Sequence, residues 1–383
     1  MVYLFCRYSI KLPITKKGTV INMKHLELIS DKVITQGHFP INFTQSDDGR
    51  IIIGSAGFKG AFALVSNDNG DTFDEIYGRF DTPRMIKLQN GTYFSMGVQS
   101  PVWKLVNIKT QKKMPHVLHM KYADDFDEIL ADRVQMDFTS IDIPGLTYGY
   151  GDGQDPSCWE IGYCNNFCQL DNGDILVAMY GQFKEDKSKC EYFTVYDMFQ
   201  YRSWIIVSHD NGHTFEYLGT IADCMTYPWN PTGEGFCEPD IIDMGSGHVL
   251  CALRTQGHEV YTPMYVCHSY DYGKTWTVPE KICDFGVYPR ILKCSDGTLL
   301  IGSGKWDTFI LMSGDGGRTW SERIVVKENK GQWGEGPSGY VSLMETAPGE
   351  ILLVYDNVDD LHPELLEYNK KRFIHAAKFL LRD

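Results

Sequence analysis

The sequence predicts an all-β protein, a six-bladed β-propeller built from four-stranded antiparallel blades. Three observations predict it. A strand-turn-strand hairpin centred on a glycine recurs six times, and an octapeptide of pattern Ser-x-Asp-x-Gly-x-Thr-aromatic recurs four times between the hairpins. The length of 383 residues then suits one internally repeated domain, because repeat folds run past the usual single-domain size.

Residues 1–23 read as an N-terminal extension, and 24–383 as a single propeller. The start, MVYLFCRYSIKLPITKK, is interrupted by Arg7 and Lys11 and shows no signal-peptide apolar run or small-residue cleavage site. Met23 is an alternative start. Eleven cysteines, an odd number, without an export signal suggest free thiols in a reducing, cytoplasmic compartment.

The hairpins are GHFPINFTQSDDGRIIIG from Gly37, DTPRMIKLQNGTYFSMG from Asp81, YCNNFCQLDNGDILVAMYG from Tyr163, CEPDIIDMGSGHVLCALR from Cys237, VYPRILKCSDGTLLIGSG from Val287 and GYVSLMETAPGEILLVYD from Gly339. They align on Gly49, Gly91, Gly173, Gly247, Gly297 and Gly349. The octapeptides are SNDNGDTF from Ser66, SHDNGHTF from Ser208, SYDYGKTW from Ser269 and SGDGGRTW from Ser313. Their Ser, Asp and Gly favour tight turns, and the Thr and aromatic suit the first residues of a returning strand. Each unit is thus strand 1, glycine turn, strand 2, loop, strand 3, octapeptide turn, strand 4. RFIHAAKFLL at 372–381 supplies a third strand for the last blade, and HLELISDKVI at 25–34 its fourth, which fastens the two chain ends together. The segment from about 119 to 160 reads as an insertion, and 181–202 as a long loop in the third blade.

Hydrophobic residues make up 43% of the chain, enough for a large core, yet no stretch is long and apolar enough to span a bilayer. A net charge of −14 disfavours nucleic-acid backbones as partners. Cys158, Cys164 and Cys168 lack zinc-ribbon spacing, no nucleotide, haem or flavin motif is present, and SNDNGD is explained by its turn rather than by calcium. No metal or cofactor is expected.

The glycine and octapeptide turns share one face, so strand 1 begins and strand 2 ends on the other, around the central pocket. Nine residues before the turn glycines stand Pro40, Thr82, Cys164, Glu238, Tyr288 and Tyr340; seven after them stand Arg254 in the fourth blade and Asp356 in the sixth. Arg84 and Arg290, seven before the glycine, share the same strand face by the two-residue period and are candidates for anion recognition or for packing between blades. Glu160, Glu234 and Glu335 precede strand 1 in three blades, where they could bind ligand hydroxyls or supply an acid. Trp159, Trp229, Trp333 and Tyr148 suit stacking on the flat face of a ligand ring.

The octapeptides resemble Asp boxes, and six hairpins with four such boxes in phase resemble the sialidase (neuraminidase) superfamily over nearly the whole chain. That resemblance implies an exo-acting glycoside hydrolase cleaving a terminal, acidic sugar from a glycan. Glu238 followed one hairpin later by Arg254, and Tyr340 in GYVSL followed by Asp356, match the family's Glu, Arg, nucleophilic Tyr and, with Asp for Glu, its sixth-blade acid. A phenol of ordinary pKa near 10 is a poor nucleophile, so a carboxylate such as Glu238 must take its proton. Arg254 is then the anchor for a substrate carboxylate or hydroxyl. The chain also departs from the family. His38 stands where the first arginine is expected and Lys305 or Trp306 where the third belongs, and SAGFKGAFALVS lacks the family's acid/base Asp. A His38–Asp356 pair is the expected replacement for the family's Arg–Glu pair, and would make a general acid or base near neutral pH. Two alternatives stay open. One is a lyase or another glycosidase on uronate-containing glycans, with His38 or Tyr340 as base and Arg254 and Arg290 neutralising the uronate. The other is a glycan-binding propeller without catalysis.

Overall fold

The computed structural model describes residues 24–57, 60–77, 84–99, 116–141, 143, 145, 163–183, 185–186, 200–227, 235–255, 263–305, 307–328, 336–358 and 372–383. After β1 (His25–Gln36), blade 1 comprises β2 (His38–Gln45), β3 (Ile51–Gly57), β4 (Gly60–Ser66) and β5 (Asp74–Tyr77). Blade 2 comprises β6 (Ile86–Lys87), β7 (Tyr93–Gln99), β8 (His116–Ala123) and β9 (Gln135–Ile141), with helix α1 (Phe126–Leu130) between the last two. Blade 3 is β10 (Tyr163–Gln169), β11 (Ile175–Gly181), β12 (Arg202–Ser208) and β13 (Glu216–Ala222). Blade 4 is β14 (Phe236–Gly245), β15 (His248–Thr255), β16 (Met264–Ser269) and β17 (Glu280–Cys283). Blade 5 is β18 (Arg290–Lys293), β19 (Leu299–Ser303), β20 (Thr308–Ser313) and β21 (Ile324–Lys327). Blade 6 is β22 (Val341–Ala347), β23 (Glu350–Val358) and β24 (Arg372–Arg382), completed by β1.

Each sheet runs in sequence order from β2 to β21, and the sixth reads β22-β23-β24-β1. The β1–β24 pairing runs antiparallel from His25 opposite Arg382 to Gln36 opposite Phe373, so the first and last described strands lie in one sheet and the ring is closed by hydrogen bonds. The segment expected as an insertion from about 119 begins instead with strands 3 and 4 of blade 2. There the octapeptide is replaced by α1, whose Asp125 accepts from Glu128 N at 2.8 Å as the N-cap. Phe126 and Ile129 of that helix pack against Ile52, Ala63 and Val65 of blade 1. Residues 146–160 lie outside the described residues.

The core is divided among the blade junctions. Six buried clusters fill the six junctions, for example Phe94, Leu118 and Met120 against Ile175, Trp204 and Ile206 between blades 2 and 3.

The octapeptides show why their residue types recur. In SNDNGDTF, the Ser66 hydroxyl donates to Asp68 Oδ1 (2.8 Å) and accepts from Gly70 N (2.8 Å), while Asp68 accepts from Thr72 N (2.8 Å) and Thr72 Oγ1 (2.6 Å). Turns at Ser208, Ser269 and Ser313 repeat this network. The glycine is needed twice over: Gly212 has φ +92°, and a Cβ on it would come within 2.3 Å of the Phe94 ring in the preceding blade. Each octapeptide is therefore both a turn and a wedge between blades.

Candidate functional site

The first strand of a blade lines the axis, and in three blades it is bulged near its start. Register shifts fall between His38 and Asn42, Tyr163 and Asn166, and Cys237 and Asp240. A bulge adds a residue and re-aims the side chain it carries. Phe39, Glu238 and Tyr288 have φ of +54°, +45° and +43°, an arrangement that costs a side-chain-bearing residue about 1–3 kcal/mol and concentrates at functional sites. Tyr340 follows Gly339, whose φ is +90°; a Cβ there would sit 2.7 Å from Lys305 N, so only glycine lets the chain approach at this point.

These bends bring together residues from distant parts of the sequence. Tyr340 donates its hydroxyl hydrogen bond to Glu238 Oε1 at 2.9 Å across 102 positions of sequence. Arg254 Nη1 donates to the same oxygen at 2.6 Å, and Tyr288 N donates to Oε2 at 2.7 Å. Glu238 is 6% exposed and Arg254 9% exposed, so the pair is screened little by solvent. The Tyr340 ring packs against Tyr288 at 4.8 Å and against Phe39, edge-on, at 5.1 Å. Burial first, then the charge of Glu238, hold the Tyr340 phenol well above its ordinary value, with Arg254 pulling the other way. At neutral pH Tyr340 is a phenol that keeps its proton and points it at the Glu238 carboxylate.

Asp356 is buried, but its partner is not the one expected. It accepts from Phe39 N (2.8 Å), Ser338 N (2.7 Å) and Arg372 Nη1 (3.0 Å), and no hydrogen bond joins it to His38. The anticipated His–Asp pair is thus replaced by an Arg372–Asp356 pair, 1% and 0% exposed in their side chains. A guanidinium satisfies a fully buried carboxylate better than an imidazole can, since its charge is permanent. His38 lies beside this pair with its Nδ1 buried and lacking a hydrogen-bond partner among the described residues. Burial pushes its pKa down, Asp356 pulls it up and Arg372 pushes it down again, which leaves a neutral imidazole at neutral pH. Its ring touches Phe39 edge-on at 4.7 Å, one ring removed from Tyr340.

Arg84 and Arg290, candidates for anion recognition or for packing between blades, make contacts from blade to blade. Both face Asp240, a carboxylate of the protein itself, at 3.8 and 3.7 Å. Arg290 further donates to Ile41 O at 2.8 Å and lies under the Tyr288 ring at 4.5 Å. Of the remaining candidates, Glu160, Glu234, Glu335, Thr82, Trp306, Trp159, Trp229, Trp333, Tyr148 and the side chain of Cys164 lie outside the described residues.

Arg372 and Asp240 were missed by sequence reasoning for different reasons. Asp240 stands seven residues before its turn glycine, as Arg84 and Arg290 do, so the same count finds it. Arg372 begins a third strand, where no glycine fixes the register.

No protein-family model matches the chain, and no curated protein matches it in sequence. Solved structures do match. A protein of unknown function from Dyadobacter fermentans is 16% identical with a TM-score of 0.63, covering 93% of this chain and 99% of that one. An α-L-arabinofuranosidase from Fusarium graminearum is 12% identical with a TM-score of 0.56, over 92% and 97% of the two chains. The Hadza microbial sialidase Hz136 is 15% identical with a TM-score of 0.55, over 89% of this chain and 66% of its own. The likeness is one of fold. It places the chain among six-bladed propellers that include glycoside hydrolases.

Proposed function

We propose that this protein is an exo-acting glycoside hydrolase that removes a terminal sugar, acidic in class, from a glycan. The observation that carries the reading is the hydrogen bond from Tyr340 to Glu238, with Arg254 fixing the same carboxylate oxygen. Attack by the Tyr340 oxygen on the anomeric carbon forms a glycosyl-tyrosine as the bond to the leaving oxygen breaks; the phenol proton passes to Glu238, the leaving oxygen takes a proton from solvent, and the water that later cleaves the intermediate returns one to solvent. Water then cleaves the intermediate, and the proton returns to Tyr340. Because the phenol titrates far above neutrality, proton transfer must accompany attack. A tyrosine nucleophile suits an anionic sugar, which a carboxylate nucleophile would repel. Arg254 is assigned to the substrate's carboxylate or a hydroxyl.

Neutral His38, one ring removed from Tyr340, supports one second reading, elimination on a uronate with His38 as base. Unsaturated product absorbing in the ultraviolet separates this from hydrolysis.

The test is a panel of chromogenic glycosides, including a sialoside and uronides, assayed with wild type and Tyr340→Phe. On the best substrate, the variant is expected to lose activity by about 10²- to 10⁴-fold with its melting temperature little changed. Full activity in Tyr340→Phe would refute the assignment.

A further inference from the structure

Strand β2 is pulled out of its ladder where it passes the candidate site. His38 stands opposite Ala56 and Asn42 opposite Gly54, so Phe39, Pro40 and Ile41 all face the single Ser55 of β3. A segment that leaves its ladder must find other partners for its backbone groups. Here it finds them in three blades. The Ser55 hydroxyl donates to His38 O at 2.7 Å and the Ser342 hydroxyl to Pro40 O at 2.6 Å. Arg290 Nη2 donates to Ile41 O at 2.8 Å, and Phe39 N donates to Asp356 Oδ2 at 2.8 Å. Asp356 is itself fixed by the buried Arg372 at 3.0 Å.

What this scaffold holds in place is Phe39. Its φ of +54° is one that a bulky side chain avoids, and burial does not repay it, since the residue stays 38% exposed. Its ring lies edge-on to Tyr340 at 5.1 Å and to His38 at 4.7 Å. Tyr288, the other ring against Tyr340 among the described residues, is only 6% exposed. Phe39 is therefore the open aromatic surface beside the phenol. Without a polar atom, it offers a ligand only apolar contact and the quadrupole of its ring. Polar groups at a site suit a sugar's hydroxyls and carboxylate, whereas an aromatic ring suits the patch of C–H groups on one face of a pyranose.

We propose that Phe39 is the platform on which the C–H face of the terminal sugar packs, held beside Tyr340 by the pinned bulge. The platform presupposes the glycosidase reading and supplies the contact that orients the sugar ring. The experiment titrates the full chain with free N-acetylneuraminate, glucuronate and galacturonate, followed by proton NMR of the sugar. These free sugars have no glycosidic bond to cleave, so the result does not depend on which residue is the nucleophile. For at least one of them, saturable upfield shifts confined to C–H protons of one face are expected, as a ring current produces. Phe39→Leu keeps an apolar side chain without the ring, and should lose those shifts and bind about 10-fold more weakly. Phe39→Tyr restores the ring and should keep both. Wild type that binds none of the three, or binds without shifts selective for one face, would overturn the proposal whatever the variants do. So would unchanged shifts and affinity in Phe39→Leu, or equal losses in Phe39→Leu and Phe39→Tyr. Failure of the glycosidase reading shows separately, as full activity in Tyr340→Phe.

Discussion

Asp356 is the residue on which the shape of the candidate site most depends. Its two oxygens hold Phe39 N, Ser338 N and Arg372 at once, and through them both backbone segments that flank Tyr340. Replacing it by Asn keeps the shape but takes the Asp356 charge away from the buried Arg372 guanidinium. Removing one member of a buried pair costs about 3–5 kcal/mol, and that loss is expected for Asp356→Asn in urea unfolding. A change below about 0.5 kcal/mol would mean that Arg372 is compensated elsewhere. Residues of the first strand were legible in the sequence because each sits at a fixed distance from a turn glycine; Glu238 and Tyr340 were found that way. Arg372 was not, because a residue on a third strand has no such marker. Nor could counting reveal that Arg84 and Arg290 share Asp240, since which neighbour a buried charge meets depends on blade order around the axis.

At the scale of elements, the octapeptide turn does the most repeated work. Asp68, Asp210, Asp271 and Asp315 all have depressed pKa values. For Asp68 the leading cause is the Thr72 hydroxyl, and it titrates at about 2; in the other three burial pushes upward and the Thr and Ser hydrogen bonds prevail. A folded value below the unfolded one contributes stability above the unfolded pKa of about 4, and that stability is lost as pH falls through the folded values. Unfolding midpoints should therefore drop between about pH 4 and pH 2, and Asp271→Asn should flatten part of that drop. An identical acid profile in the variant would show that these carboxylates do not govern acid stability. Ser269→Ala removes one acceptor and one donor from a largely buried turn and should cost about 1–2 kcal/mol. The four matching octapeptides made this element readable from sequence. Blade 2 was misread because α1 does the same task with Phe126 and Ile129, and a short helix leaves no trace of the pattern.

For the whole molecule, closure rests on β1 lying against β24. Tyr355 OH and His375 both contact Asp31 across that seam, at 2.8 and 3.4 Å. Removing residues 1–36 would expose the β24 edge along its length and open the ring. The truncated chain is expected to lose cooperative unfolding and to self-associate, as judged by scattering; a monomer with unchanged melting would show that the ring holds without this strand. The closed ring matters for the site because its parts come from different blades. Tyr340 belongs to blade 6 and Glu238 to blade 4, while Phe39 follows β1 directly, so an open ring has no fixed Tyr–Glu distance. The most direct test of the account is to trap the covalent intermediate with a fluorinated analogue of whichever glycoside proves to be turned over, then locate the label by peptide mass spectrometry. A sugar adduct on the peptide carrying Tyr340, absent in Tyr340→Phe, is the predicted result. A label on Glu238, or turnover without any covalent adduct, would contradict it.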